Sequence, residues 1–179
     1  MSRLLPRLLY ILAGCIFSFL PVMSQEITFI QAPLPDDEVG AVFGIDQDAK
    51  GYLWMATGSG LFKFDGAQYT AFHTRAGDPN SLSQEGCESV LADDQGFIWV
   101  GHHHLSAGLD RLDPATGIFT HYRNDPKDPT SLAGDSTDVL YKAKDGTVWI
   151  GTTKGLDRYD RKTNSFIHYA NDPNDPGSL

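Results

Sequence analysis

The chain has 179 residues, with 41% apolar and 21% charged side chains and a formal charge of −9. That is the composition of folded globular protein rather than of a disordered chain, and a pI near 4.9 leaves no basic footprint for a nucleic acid. Eighteen glycines and ten prolines favour many short turns and exclude a coiled coil, a collagen or a multispan membrane protein.

Residues 1–24 have the form of a secretory signal. Arg3 and Arg7 supply the positive start, Leu8 to Leu20 carries no charge, and Pro21 and Ser24 close the segment. The apolar span is short for a transmembrane helix, although an uncleaved anchor would use the same residues. Leu12-Ala13-Gly14-Cys15 also fits a lipoprotein box, but the apolar run continues past Cys15. Cleavage removes two arginines and no acid, which makes the mature chain more acidic. It also leaves Cys87 as the remaining cysteine, so no intrachain disulfide is expected.

From there the chain repeats three times. Gly51-Tyr52-Leu53-Trp54 recurs as Gly96-Phe97-Ile98-Trp99 and as Gly146-Thr147-Val148-Trp149. Gly-Leu follows each time, at Leu61, Leu109 and Leu156. Next come a basic residue, an apolar one and an aspartate, as in Lys63-Phe64-Asp65, Arg111-Leu112-Asp113 and Arg158-Tyr159-Asp160. An aromatic residue (Phe72, Tyr122, Tyr169) and Asp-Pro-x-Ser-Leu end each unit. Insertions fall only in turns, as expected of stacked strand units. In the second unit the expected strands are 87–92, 97–101, 108–112 and 118–122. No proline falls in an expected strand, where it would delete a ladder hydrogen bond.

A four-stranded unit of this length is the size of a β-propeller blade. One small sheet cannot bury both of its faces, so the tryptophans and the Gly-Leu leucines are expected between blades. The expected fold is all-β, with three four-stranded antiparallel blades of an incomplete propeller. Blade 1 covers 38–77, blade 2 covers 78–127 and blade 3 covers 128–174. Residues 175–179 begin a connector toward a fourth blade, so the sequence reads as the N-terminal part of a longer protein. Residues 25–37 precede blade 1, and Gln25 to Ile30 is an N-terminal strand placed to pair with the last blade and close the ring.

The motif, best kept from Asp145 to Asp160, resembles the two-component regulator propeller repeat. Blade 1 departs with Met55-Ala56-Thr57, and blade 2 with His102 and an insertion. The resemblance implies the sensing part of a bacterial receptor on the periplasmic side of the inner membrane. A membrane-anchored output domain, either histidine kinase or diguanylate cyclase, is expected elsewhere in the receptor, and a homodimer is one arrangement open to it. The ligand is unassigned, with carbohydrate the class the family implies. The alternative is a freestanding exported propeller, sialidase-like or an adhesion scaffold.

No catalytic, cofactor or metal constellation is expected in this chain, and no nucleic-acid partner. His102, His103 and His104 are the candidate ligand-contacting residues, in what reads as a solvated insertion loop. Neighbouring strand residues point to opposite faces, so three in a row converge poorly on one metal ion. His121 and His168 share a column on the outermost strand and read as surface residues. Asp94 resembles the aspartate of an Asp-box turn, with Ala49 and Lys144 at its position in the other units. Gly51, Gly96, Gly146, Trp54, Trp99, Trp149, Leu61, Leu109 and Leu156 are read as structural.

Overall fold

The computed structural model describes residues 39–102 and 107–179. The signal segment 1–24, the N-terminal strand in 25–37, and His103 and His104 lie outside the described residues. Blade 1 is β1 Val42–Gln47, β2 Leu53–Thr57, β3 Gly60–Phe64 and β4 Tyr69–Phe72. Blade 2 is β5 Ser89–Ala92, β6 Ile98–Gly101, β7 Leu109–Asp113 and β8 Ile118–Tyr122. Blade 3 is β9 Thr137–Lys142, β10 Val148–Thr152, β11 Gly155–Asp160 and β12 Ser165–Tyr169. Each is an antiparallel sheet with its strands in chain order. The first strand of blade 2 starts at Ser89 rather than Cys87, whose amide donates to Thr57 of blade 1 instead of to its own sheet.

The blades stack with a constant polarity. Trp54, Ala56 and Leu61 of blade 1 pack on Val90, Ala92, Ile98, Val100, Leu112 and Phe119 of blade 2. Trp99, Leu91, Leu109 and Tyr122 of blade 2 pack on Val148, Ile150, Tyr159 and Phe166 of blade 3. Trp54, Trp99, Leu61 and Leu109 are fully buried, whereas Trp149 and Leu156 are only half-buried. The same motif letter therefore has a different environment wherever no further blade lies over it.

Two glycine columns have separate causes. Gly51, Gly96 and Gly146 take positive φ in the turn before the tryptophan strand, where a side chain would be strained. Gly60, Gly108 and Gly155 also have positive φ, and a Cβ there would collide with the carbonyl of Phe72, Tyr122 or Tyr169. The Gly-Leu motif is thus set by close approach of the outer strand.

The turn aspartate that matters is Asp93, one residue before the expected Asp94. Its Oδ1 accepts from the amides of Gln95 and Phe97, and its Oδ2 accepts from Trp99 Nε1 at 2.9 Å. Asp48 makes the same three bonds in blade 1, ending on Trp54 Nε1 at 2.9 Å. Asp94 points away and pairs with Lys142 at 3.0 Å, more than half exposed. The geometry favours the earlier position because only a residue six before the tryptophan reaches both the turn amides and the indole. Asp93→Ala is expected to cost about 1–3 kcal/mol through the orphaned donors, and Asp94→Ala no more than about 0.5 kcal/mol. Urea denaturation of the two variants tests the difference.

Candidate functional site

The rim that carries the β2–β3, β6–β7 and β10–β11 turns also carries the connectors between blades. Each connector is a loop closed by its own serine. Ser81 Oγ accepts from the Arg75 amide at 2.9 Å, Ser131 Oγ from Asp125 at 2.9 Å and Ser178 Oγ from Asp172 at 2.8 Å. The leucine after the serine then plugs the gap between blades. Leu82 and Leu132 are buried, while Leu179, on the same kind of loop, is 60% exposed.

His102 is not in a solvated loop. It is fully buried, with Nδ1 2.9 Å from the Gly86 carbonyl and Nε2 3.2 Å from Asp110 Oδ2. Its amide donates to Thr137 Oγ1 of blade 3 at 2.8 Å. The first residue of the insertion is held by the blade contact, so it serves as a structural bridge. No convergence of the three histidines is described, since His103 and His104 are outside the described residues.

His121 and His168 are likewise not free surface residues. His121 sits opposite Asp110 across β7 and β8, and His168 sits opposite Asp157 across β11 and β12. His121 Nδ1 is 2.6 Å from Asp110 Oδ1, and its Nε2 is 2.8 Å from the carbonyl of Pro79 in the connector. His168 repeats this with Asp157 at 2.6 Å and Pro129 at 2.8 Å. The second carboxylate oxygen takes a connector amide, from Ser83 on Asp110 and from Ala133 on Asp157, each at 2.8 Å. Both aspartates are fully buried. Each incoming connector is therefore pinned at a carbonyl and at an amide by one Asp–His pair. Blade 1 has Phe62 and Ala71 at these places and no such pair. The signal is present in the sequence, at the variable letter after Gly-Leu and on the outermost strand, but the two are brought together only by the register of adjacent strands.

Burial works against the Asp110 carboxylate, but hydrogen bonds from His102 and His121 outweigh it and hold its pKa at about 2. The hydrogen bond to Asp110 raises the pKa of His121 above its ordinary 6.5. Both of its ring nitrogens face acceptors, so the imidazolium is the form that fits. Burial first, and then the nearby Asp110 and Glu85 carboxylates, drive the Cys87 thiol well above its ordinary range, which makes it an inert core residue. The sign of the pH dependence follows. Stability from His121 is complete below pH 6.5 and is lost as pH rises through the raised value. Stability from Asp110 is complete above 3.8 and is lost as pH falls toward 2. Thermal melts are expected to show the highest midpoint between about pH 4 and 6.5, and a midpoint still rising toward pH 8 would contradict the Asp–His account.

Between blades 1 and 2, at their outer edge, lies an open groove of about 460 Å³. Phe72 and Phe119 meet edge to face at its base, with His73, Arg75 and Thr116 along its sides. Between blades 2 and 3 the Arg111 guanidinium lies over Phe97 at 4.7 Å and Trp99 at 5.4 Å, and donates to the Tyr159 hydroxyl at 2.6 Å. This contact is a cross-blade clamp. Among the described residues no group of three His, Cys, Asp or Glu side chains is placed to hold a metal ion.

No family model matches the chain, and no curated protein matches it. Solved structures do match. The extracellular domain of a protein assigned as a hybrid two-component system from B. thetaiotaomicron shares 28% identity with a TM-score of 0.69. The match covers 78% of this chain and 20% of that one. The chain is similar in sequence and in fold to that extracellular domain. The finding agrees with the two-component regulator propeller repeat that the residues resemble. A streptogramin B lyase aligns at 20% identity with a TM-score of 0.58, over 79% of this chain and 44% of the lyase. A catalytically inactive virginiamycin B lyase from Staphylococcus aureus, with quinupristin, aligns at 14% with 0.57, over 81% and 45%. The two lyases share the fold alone. The chain spans about a fifth of the length of the extracellular domain and under half of either lyase.

Proposed function

We propose that these blades belong to the ligand-sensing extracytoplasmic region of a bacterial signalling receptor. The observation that carries the reading is the similarity, in sequence and fold together, to the extracellular domain of a hybrid two-component protein. In this reading residues 1–24 export or anchor the chain. Further blades, one membrane span and an output domain complete the receptor. A histidine kinase is the output that the hybrid relative favours, and a diguanylate cyclase is the other that the repeat implies.

In this reading the blades bind a ligand, and any catalysis belongs to the output domain. Asp110 and Asp157, with His121 and His168, are engaged in pinning connectors, Asp93 holds its turn, and Cys87 is sealed in the core. A ligand, with carbohydrate as the class implied, acts by preferring one arrangement of blades or of a receptor dimer. It can move that equilibrium only by its differential affinity for the two arrangements. The rim of connectors is suited to this coupling, because each connector touches two blades through Leu82 or Leu132 and through an Asp–His pair.

An antibody raised against this chain tests the reading in membranes of the native host. The expected result is an integral membrane polypeptide much larger than 19.6 kDa. A small soluble exported protein as the sole antigen would overturn it.

A further inference from the structure

We propose that the groove between blades 1 and 2 is a binding site for a small organic anion built on an apolar ring, an aromatic carboxylate in the simplest case. Both blades that form the groove are described, and the inference does not rest on the receptor reading.

The corresponding place between blades 2 and 3 is filled. Tyr122 and Phe166 meet edge to face there at 5.3 Å. Asn164, in the left-handed region with φ of 54°, brings its side-chain oxygen between the blades. That oxygen accepts from the Tyr122 hydroxyl at 2.8 Å and from the Tyr159 hydroxyl at 2.7 Å. Arg111 completes the plug by donating to Tyr159 at 2.6 Å. Cross-strand register puts different residues at these positions between blades 1 and 2. Phe72 stands for Tyr122, Leu112 for Tyr159 and Gly117 for Asn164. Lys63 stands for Arg111 and turns to the Tyr52 ring at 5.1 Å. Gly117 keeps the left-handed turn with φ of 74°, but a Cβ there would meet nothing within 4 Å. The aromatic pair is retained as Phe72 and Phe119 at 6.1 Å, and the plug is gone. The space left is about 460 Å³, a size that suits a small ligand.

The charge of the groove points to its occupant. The connector serines accept from the amides of Asp125 and Asp172 in the later connectors, but from that of Arg75 here. Arg75 and His73 line the groove and no carboxylate of the described residues does, in a chain of net charge −9. Asp78 and Glu85 pair with these two side chains from outside the lining. Arg75 is 66% exposed, and a guanidinium has several N–H donors, so the bond to Asp78 leaves others for a ligand carboxylate. Ser81 Oγ already accepts from the Arg75 amide and donates to the Asp78 carbonyl. A neutral sugar, whose hydroxyls call for acceptors as well as donors, finds few partners in such a lining. A flat ring against Phe72 with its carboxylate at Arg75 is satisfied at both ends.

An NMR titration of the full 179-residue chain with phenylacetate tests the proposal, with 2-phenylethanol as the neutral analogue and glucose as the neutral sugar. Saturable binding of phenylacetate is expected at about millimolar concentration, given the size of the probe. Arg75→Gln and the neutral analogue are each expected to bind about tenfold more weakly, the worth of one charge-assisted hydrogen bond. Gly117→Asn is expected to abolish binding, because it restores the plug that Asn164 forms. The fold tolerates both substitutions, since Arg75 is exposed and the equivalent turn already carries an asparagine; unchanged thermal midpoints check this. Absence of saturable binding would overturn the proposal, as would binding that survives Gly117→Asn. Equal affinity for 2-phenylethanol, or tighter binding of glucose, would overturn the assignment of an anion.

Discussion

Trp99→Ala lowers the stability of the blade stack by about 3–5 kcal/mol, and Trp149→Ala lowers it by about 1 kcal/mol or less. The two residues occupy the same motif position, so sequence alone predicts the same effect. The structure separates them. Trp99 is fully buried, stacks on Tyr122, meets Tyr159 edge to face at 4.7 Å and donates to Asp93. Its removal opens a cavity between two blades and orphans one carboxylate oxygen and the Arg111 clamp. Trp149 is half-buried, and no described blade lies over it, so its loss leaves space that water fills. Urea denaturation in dilute solution measures both. Equal losses at the two positions would mean that the blade 3 face is covered in the isolated chain.

The second large effect is expected at Asp110. Asp110→Ala is expected to cost about 3–5 kcal/mol, because removing one partner of a buried charged network leaves the other without compensation. His102 is then sealed in the core without its carboxylate, and His121 loses its partner across β7 and β8, so that nothing orients its bond to the Pro79 carbonyl. The Ser83 amide, which holds the connector end, also loses its acceptor. Asp110→Asn keeps the size and one acceptor oxygen but removes the charge. Its stability is expected to be flatter from pH 6 to 9 than that of wild type, since the raised pKa of His121 depends first on the hydrogen bond to Asp110. An unchanged alkaline limb in the asparagine variant would show that the histidine titration is set elsewhere.

The strand order, the repeat register and the inter-blade tryptophans were legible because each is a short pattern repeated at fixed spacing. Periodicity also placed the glycines of the turn, though not the reason for Gly108, whose partner is a carbonyl on the next strand. What the sequence hid was what varies between units. Asp110 and Asp157 stand where blade 1 has Phe62, so a consensus treats the position as free. Their histidine partners lie one strand away and looked like ordinary surface residues. His102 misled for a different reason: its neighbours belong to an insertion, but its own amide and ring are bonded to Thr137, Gly86 and Asp110. The aspartate of the turn was misplaced by one residue because Asp93 and Asp94 are adjacent, and only the reach to the indole distinguishes them.

Sequencing the native transcript beyond codon 179 tests the central claim most directly. The receptor account predicts an open frame through more Gly-x-x-Trp units, one span of about 20 apolar residues and a kinase or cyclase module. A frame that carries further blades and then stops, with neither span nor output module, would contradict it and leave an exported propeller that signals to nothing.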